Sequence, residues 1–211
     1  MGTQLIALSL GVALAGCSTM NSAAGSLGTM PAPARAAALH QDMRRLWSDH
    51  VVWTRQYIVA AVAGTPDAPV ALARLMRNQD DIGNAIKPYY GDAAGAKLTD
   101  LLKQHISLAG EVVAAAKAGD QAKLQDADRR WHDNAGEIAT FLSSANPNNW
   151  PHDAVLSMLN NHLALTTREA TDRIKANWSD DQQAFDAVYT QIMGMADTLA
   201  DGIIKQFPTK V

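Results

Sequence analysis

One cysteine in 211 residues excludes an intramolecular disulfide framework and any zinc site built on cysteine thiolates. Charge of one sign is also missing: 18 Lys and Arg stand against 21 Asp and Glu, a formal net charge of −3. That balance excludes a dedicated nucleic-acid binder, which carries a basic patch or a high pI. Fourteen Gly and eight Pro are too few for a collagen-like or low-complexity chain, and aromatics make up only 6%. The longest apolar run, Leu5 to Ala15, falls short of the roughly 20 residues a membrane-spanning helix needs. No nucleophile elbow, phosphate-binding glycine loop or dinucleotide fingerprint occurs, so catalysis finds no support in the sequence. What is present is 47% apolar residues, enough for one domain with a substantial core.

The apolar run ends in Leu14-Ala15-Gly16-Cys17, which resembles the lipobox of bacterial lipoproteins. The resemblance implies cleavage after residue 16, lipidation of Cys17 and a mature protein without a thiol. Ser18 next to the cysteine resembles the pattern that sorts such proteins to the outer membrane, facing the periplasm. Met1-Gly2-Thr3-Gln4 departs from the pattern, since secretory signals begin with Lys or Arg. From residue 17 to 35, small residues, Gly and Pro dominate (CSTMNSAAGSLGTMPAPAR), a composition too poor in apolar surface to offset its ordering entropy. The expected organisation is a signal peptide over 1–16, a lipidated flexible tether over 17–35 and a helical domain over 36–211.

Beyond residue 36 the apolar residues recur at three and four, the period of a helix. Leu39, Met43, Leu46, Trp47, Ile58 and Ala61 trace a first helix that stops at Gly64-Thr65-Pro66. A second runs from Ala71 to about Ile86 and is expected to stop before Lys87-Pro88. A third starts near Ala93 and ends at Gly119-Asp120; a fourth, through Trp131 and Ile138, is closed by Asn146-Pro147-Asn148-Asn149. The fifth follows Pro151 as far as Ile174. The sixth follows Ser179-Asp180-Asp181, with Ser179 or Asp180 as its N-cap, and runs through Ile203. No segment alternates as a strand does. The class is all-α, and the helices are expected to form a six-helix bundle of three antiparallel hairpins.

Comparison of the chain with itself supports that grouping. Leu46-Trp47-Ser48-Asp49-His50-Val51 parallels Leu101-Leu102-Lys103-Gln104-His105-Ile106, and both parallel Met158-Leu159-Asn160-Asn161-His162-Leu163. The histidines lie 55 and 57 residues apart, the length of one hairpin, which points to an internal threefold repeat. Each sits on an apolar helix face and is expected to be buried, where its N–H needs a partner and its pKa falls. Equal distance from the turn places Asn78 opposite His50 and Asn134 opposite His105, with Asp81 and Glu137 one turn further along. In the third hairpin Gln191 holds the matching position but lies off the Val188–Ile192–Met195 line. Glu169, seven residues after His162, is the alternative partner.

Two chemistries fit this layer. Three parallel helices could converge His50, His105 and His162 on a metal, with Asn78, Asp81, Asn134, Glu137 and Glu169 orienting the rings or contacting a ligand. Zinc, copper or haem are the cofactors such a set serves, with Met158, Met193 and Met195 as soft extra ligands. Alternatively each histidine bonds only its own hairpin partner, the layer fixes helix register, and no cofactor is held. Single histidines on separate helices form no recognised metal motif, and HExxH and the paired ExxH of di-iron bundles are missing. The leading expectation is a non-catalytic binding or structural module on the envelope membrane, with a metal- or haem-binding protein, including an oxidoreductase, as the alternative.

The segments LWSDHVVWTR (46–55), RNQDDIGNAI (77–86), RRWHDNAGEIATFL (129–142) and NHLALTTREA (161–170) resemble a group of small all-helical bacterial envelope proteins, over about residues 42–207. Some members carry the name acetylglutamate kinase. That name implies an α/β fold with glycine-rich phosphate loops, and this sequence has neither. The resemblance therefore implies an all-helical architecture and no particular activity.

Overall fold

A computed structural model describes residues 31–211. The expected signal peptide, Cys17 and most of the tether lie outside the described residues. Six helices follow one another: α1 Ala32–Ala63, α2 Ala68–Tyr90, α3 Asp92–Ala118, α4 Gln121–Ala145, α5 His152–Ile174 and α6 Trp178–Gln206. Among the described residues there is no strand, and no helix is long and apolar enough to cross a membrane.

Three boundaries differ from the sequence expectation, each for a local reason. α1 begins at Ala32, inside the expected tether, because Pro33 falls in the first turn, where its missing N–H would be unpaired anyway, and alanines follow it. α2 continues through Pro88 to Tyr90. The proline sits in the last turn, and Tyr89 and Tyr90 pack on Phe207 with ring centroids 5.9 and 5.1 Å away, so tertiary packing holds the segment helical. α6 starts at Trp178, so Asp180 and Asp181 occupy its first turn, near the positive end of its dipole, instead of capping it.

Every helix packs on its neighbours in sequence, and α6 returns to α1, closing a ring of six. The odd helices α1, α3 and α5 also touch one another across the middle. This places the histidine-bearing helices around the axis of the bundle. The core runs continuously through it, from Leu39 and Met43 on α1 to Ile192, Leu199 and Ile203 on α6. α2 and α3 cross closest at Gly83 and Gly95. A Cβ on Gly83 would lie 1.9 Å from Thr99 Oγ1 and 2.6 Å from the Gly95 carbonyl oxygen. At the turn before α5, Trp150 is buried against Gly202, and its indole N–H donates to the Thr198 carbonyl at 3.3 Å.

Candidate functional site

His50, His105 and His162 are all buried, one on each odd helix, and all three border one cavity. Their Nδ1 atoms meet side-chain amide oxygens: His50 with Gln79 Oε1 at 3.2 Å, His105 with Asn134 Oδ1 at 3.0 Å, and His162 with Gln191 Oε1 at 3.0 Å. In all three pairs the amide residue comes 29 residues after the histidine. The amide nitrogens then reach back to the other helix. Asn134 Nδ2 donates to Leu101 O at 3.2 Å and Gln191 Nε2 to Met158 O at 3.1 Å, each carbonyl four residues before the histidine. In the first pair two residues divide the task. Asn78 Nδ2 donates to Leu46 O at 3.0 Å, while Gln79 Nε2 donates to Leu75 O at 2.8 Å.

These bonds settle the tautomer. A backbone carbonyl can only accept, so each amide nitrogen faces a carbonyl and its oxygen faces the ring; Nδ1 therefore carries the hydrogen. Nε2 is left as a lone pair. In His105 that lone pair is taken, since Trp131 Nε1–H donates to it at 3.2 Å. The residues at the same 26-residue offset from His50 and His162 are Met76 and Val188, which have no such donor. Among the described residues Nε2 of His50 and of His162 makes no hydrogen bond, and neither does the buried indole N–H of Trp47.

Burial keeps the three rings neutral. It lowers the pKa of His105 to about 3 and of His162 to about 4; it takes His50 well below its usual 6.5, with the neighbouring His162 and His105 adding to the effect. The rings of His50 and His162 lie 5.9 Å apart between centroids, tilted by 47°. Next to the layer, toward the start of the odd helices, is a cavity of about 30 Å³ with an almost wholly apolar wall. The three histidines line it, together with Trp47, Trp150 and the methionines 43, 158 and 195. On the far side of the layer a second apolar cavity of about 20 Å³ lies among Thr54, Ile58, Ile106, Val113, Thr166 and Ala170.

The structure brings Asn78 and Asn134 into the layer and gives Gln191, not Glu169, to His162. Gln79 escaped the sequence reading because it was judged by the single height of Asn78. Asp81 and Glu137 are corrected: both are exposed, since three residues along a helix turns a side chain about 60° short of a full circle and carries it off the buried line. Met193 is only partly buried and packs outside the cavity wall, where Met43 takes the expected place.

Glu169 belongs to a separate buried ion cluster. Arg55 on α1 holds both oxygens of Asp181 and also Glu169, the last at 3.0 Å, with Arg173 adding a contact to Asp181 at 3.4 Å. Glu169 is 1% exposed and Asp181 fully buried. Burial raises the Glu169 carboxyl to about 7 against the pull of Arg55. Burial also opposes ionisation of Asp181, but the bonds and charges of Arg55 and Arg173 outweigh it and hold that carboxyl below its usual range.

Among the described residues no group of three or more His, Cys, Asp or Glu side chains stands in place to hold a metal ion. No family model, curated protein or solved structure matches the chain.

Proposed function

We propose that this chain is a lipid-anchored protein of the bacterial cell envelope, attached through Cys17 and facing the periplasm, whose bundle serves as a non-catalytic binding or structural module. The bundle is read as three copies of one hairpin, α1–α2, α3–α4 and α5–α6, each duplicated with its histidine. The observation that carries this reading is the recurrence of one bonding pattern, an imidazole Nδ1–H on a carboxamide 29 residues later. A slip of one turn between the paired helices would strand an imidazole and a carboxamide in the core, at about 1–3 kcal/mol for each unpaired group. The layer thereby sets the register of each hairpin.

A double-mutant cycle on His105 and Asn134 tests the register role. His105→Leu and Asn134→Leu should each cost about 2 kcal/mol in urea unfolding, with the double variant at least about 1 kcal/mol better than their sum. Strict additivity would remove the register role. For the anchor, the chain is expressed in a bacterium with its own leader. It should fractionate with membranes and take up labelled fatty acid, and Cys17→Ser should lose both; an unlabelled, soluble parent would sink that part of the proposal.

A second reading, metal binding at the histidine layer, keeps His50 and His162 of the three expected ligands, since Nε2 of these two meets no donor beside the cavity whereas that of His105 accepts from Trp131. Haem does not fit it. A cavity of about 30 Å³ is an order of magnitude below the several hundred Å³ of ordinary cofactor sites.

A further inference from the structure

We infer that the methionine-lined cavity is a site for a soft metal ion of low coordination number, of the Cu(I) class, bound by His50 Nε2, His162 Nε2 and the thioether of Met158 or Met195. This deepens the second reading above. It leaves the register role of Nδ1 untouched, because the two ring nitrogens do different work.

The donor set is prepared as a metal requires. Metal-binding imidazoles usually give their other N–H to an oxygen that fixes tautomer and ring orientation. Gln79 and Gln191 do this for His50 and His162. Spacing agrees as well. With metal–nitrogen bonds of about 2 Å, two imidazoles sharing an ion have ring centroids roughly 5 Å apart in a tetrahedral site and roughly 6.4 Å apart in a linear one. The observed 5.9 Å falls between them, toward the linear end.

The wall selects the ion. Of the five methionines among the described residues, three (Met43, Met158 and Met195) line this one cavity. Thioether sulfur and neutral imidazole are soft donors that suit Cu(I). No carboxylate lines the cavity, which excludes the oxygen-seeking Mg²⁺ and Ca²⁺. A divalent ion would also bring two uncompensated charges into an apolar interior, where a monovalent ion brings one. A three-histidine zinc site needs His105, whose Nε2 already accepts from Trp131. Two nitrogens and a sulfur remain.

The test is an anaerobic titration of the untagged full chain carrying Cys17→Ser, so that no thiol competes, with Cu(I) against a chromogenic Cu(I) chelator. X-ray absorption reports the ligands, and circular dichroism confirms that each variant folds. The expected result is one Cu(I) per chain with nitrogen and sulfur neighbours. Met158→Leu combined with Met195→Leu keeps core volume and should weaken binding at least about tenfold with loss of the sulfur signal. His50→Gln and His162→Gln should weaken it further, and Met76→Leu, outside the cavity, should change nothing. A folded parent that takes up no Cu(I), binding undiminished in the methionine double variant, or preference for Zn(II) would overturn the inference. Such a failure would leave the His105–Asn134 coupling energy in place. Vanishing of that coupling with Cu(I) uptake intact would instead overturn the register role.

Discussion

Lowering the pH from 7 to 5 should destabilise the fold by about 4 kcal/mol, and three histidines with one glutamate account for it. In the unfolded chain each histidine titrates near 6.5, whereas in the fold His105 titrates at about 3, His162 at about 4 and His50 well below 6.5. Below pH 6.5 the unfolded state binds protons that the native state refuses, so stability falls as pH falls. Each ring contributes about 2 kcal/mol between pH 7 and 5, or about 6 together. Glu169 acts in the opposite direction. Its folded value of about 7 lies above the usual 4.5, so the native state takes up a proton across this window and returns about 2 kcal/mol. Urea unfolding followed by circular dichroism at pH 7, 6 and 5 measures the net loss. Glu169→Gln should steepen the dependence toward about 6 kcal/mol, and His162→Gln should reduce it by about 2. Stability constant to within about 1 kcal/mol over the window, or a flatter profile in Glu169→Gln, would refute the reasoning.

Further substitutions probe the packing. Gly83→Ala drives a methyl group against Thr99 and the Gly95 backbone and should cost about 2–3 kcal/mol in urea unfolding. Gly136→Ala meets nothing within 4 Å and should be neutral or stabilising by up to about 1 kcal/mol, so a similar loss at both sites would discredit the close crossing of α2 and α3. Arg55→Leu leaves Glu169 without its cation and Asp181 with only the 3.4 Å contact to Arg173, and should cost about 3–5 kcal/mol; Glu169→Gln with Asp181→Asn in the same chain should recover part of it. Trp131→Phe removes the donor to His105 Nε2 and should cost about 1–2 kcal/mol by thermal unfolding, whereas Trp47→Phe, whose N–H has no acceptor, should cost less.

Helix number and the burial of the histidines were legible because both rest on local period: apolar residues at three and four mark a face, and His50, His105 and His162 lie on it. Asn134 was legible too, since height in a hairpin follows from counting residues to the turn. The same count gave Asn78 and missed Gln79, because neighbours on a helix differ by about 100° in direction while sharing nearly the same height. Asp81 and Glu137 were misplaced for the same reason. The extension of α2 through Pro88 was hidden by another limit. Local rules weigh the missing N–H, but Tyr89 and Tyr90 gain their packing from Phe207, more than a hundred residues away. Glu169 looked like a partner for His162 until the structure put Arg55, from a different helix, in contact with it.

The departures from equivalence within the histidine layer carry as much meaning as the equivalence. Register alone requires only the Nδ1 bonds, which all three rings make. It gives no reason for the second nitrogens to differ, and a layer meant only to lock helices would be improved by three donors like Trp131. At the corresponding positions stand Met76 and Val188, so His50 and His162 keep basic nitrogens beside a cavity that is otherwise nearly all carbon and sulfur. Leaving a buried donor unpaired costs about 1–3 kcal/mol, and the Trp47 indole N–H, which has no acceptor, borders the same cavity as the two imidazoles whose Nε2 meets no donor. An unpaired indole N–H and two imidazoles without a donor at Nε2, all bordering one cavity with three thioethers, are easier to explain by an occupant than by imperfect packing. Trp131→Phe bears on this point directly. Freeing the third imidazole should give the cavity three nitrogen donors and shift its preference from Cu(I) toward Zn(II), and an unchanged preference would show that His105 takes no part in the site.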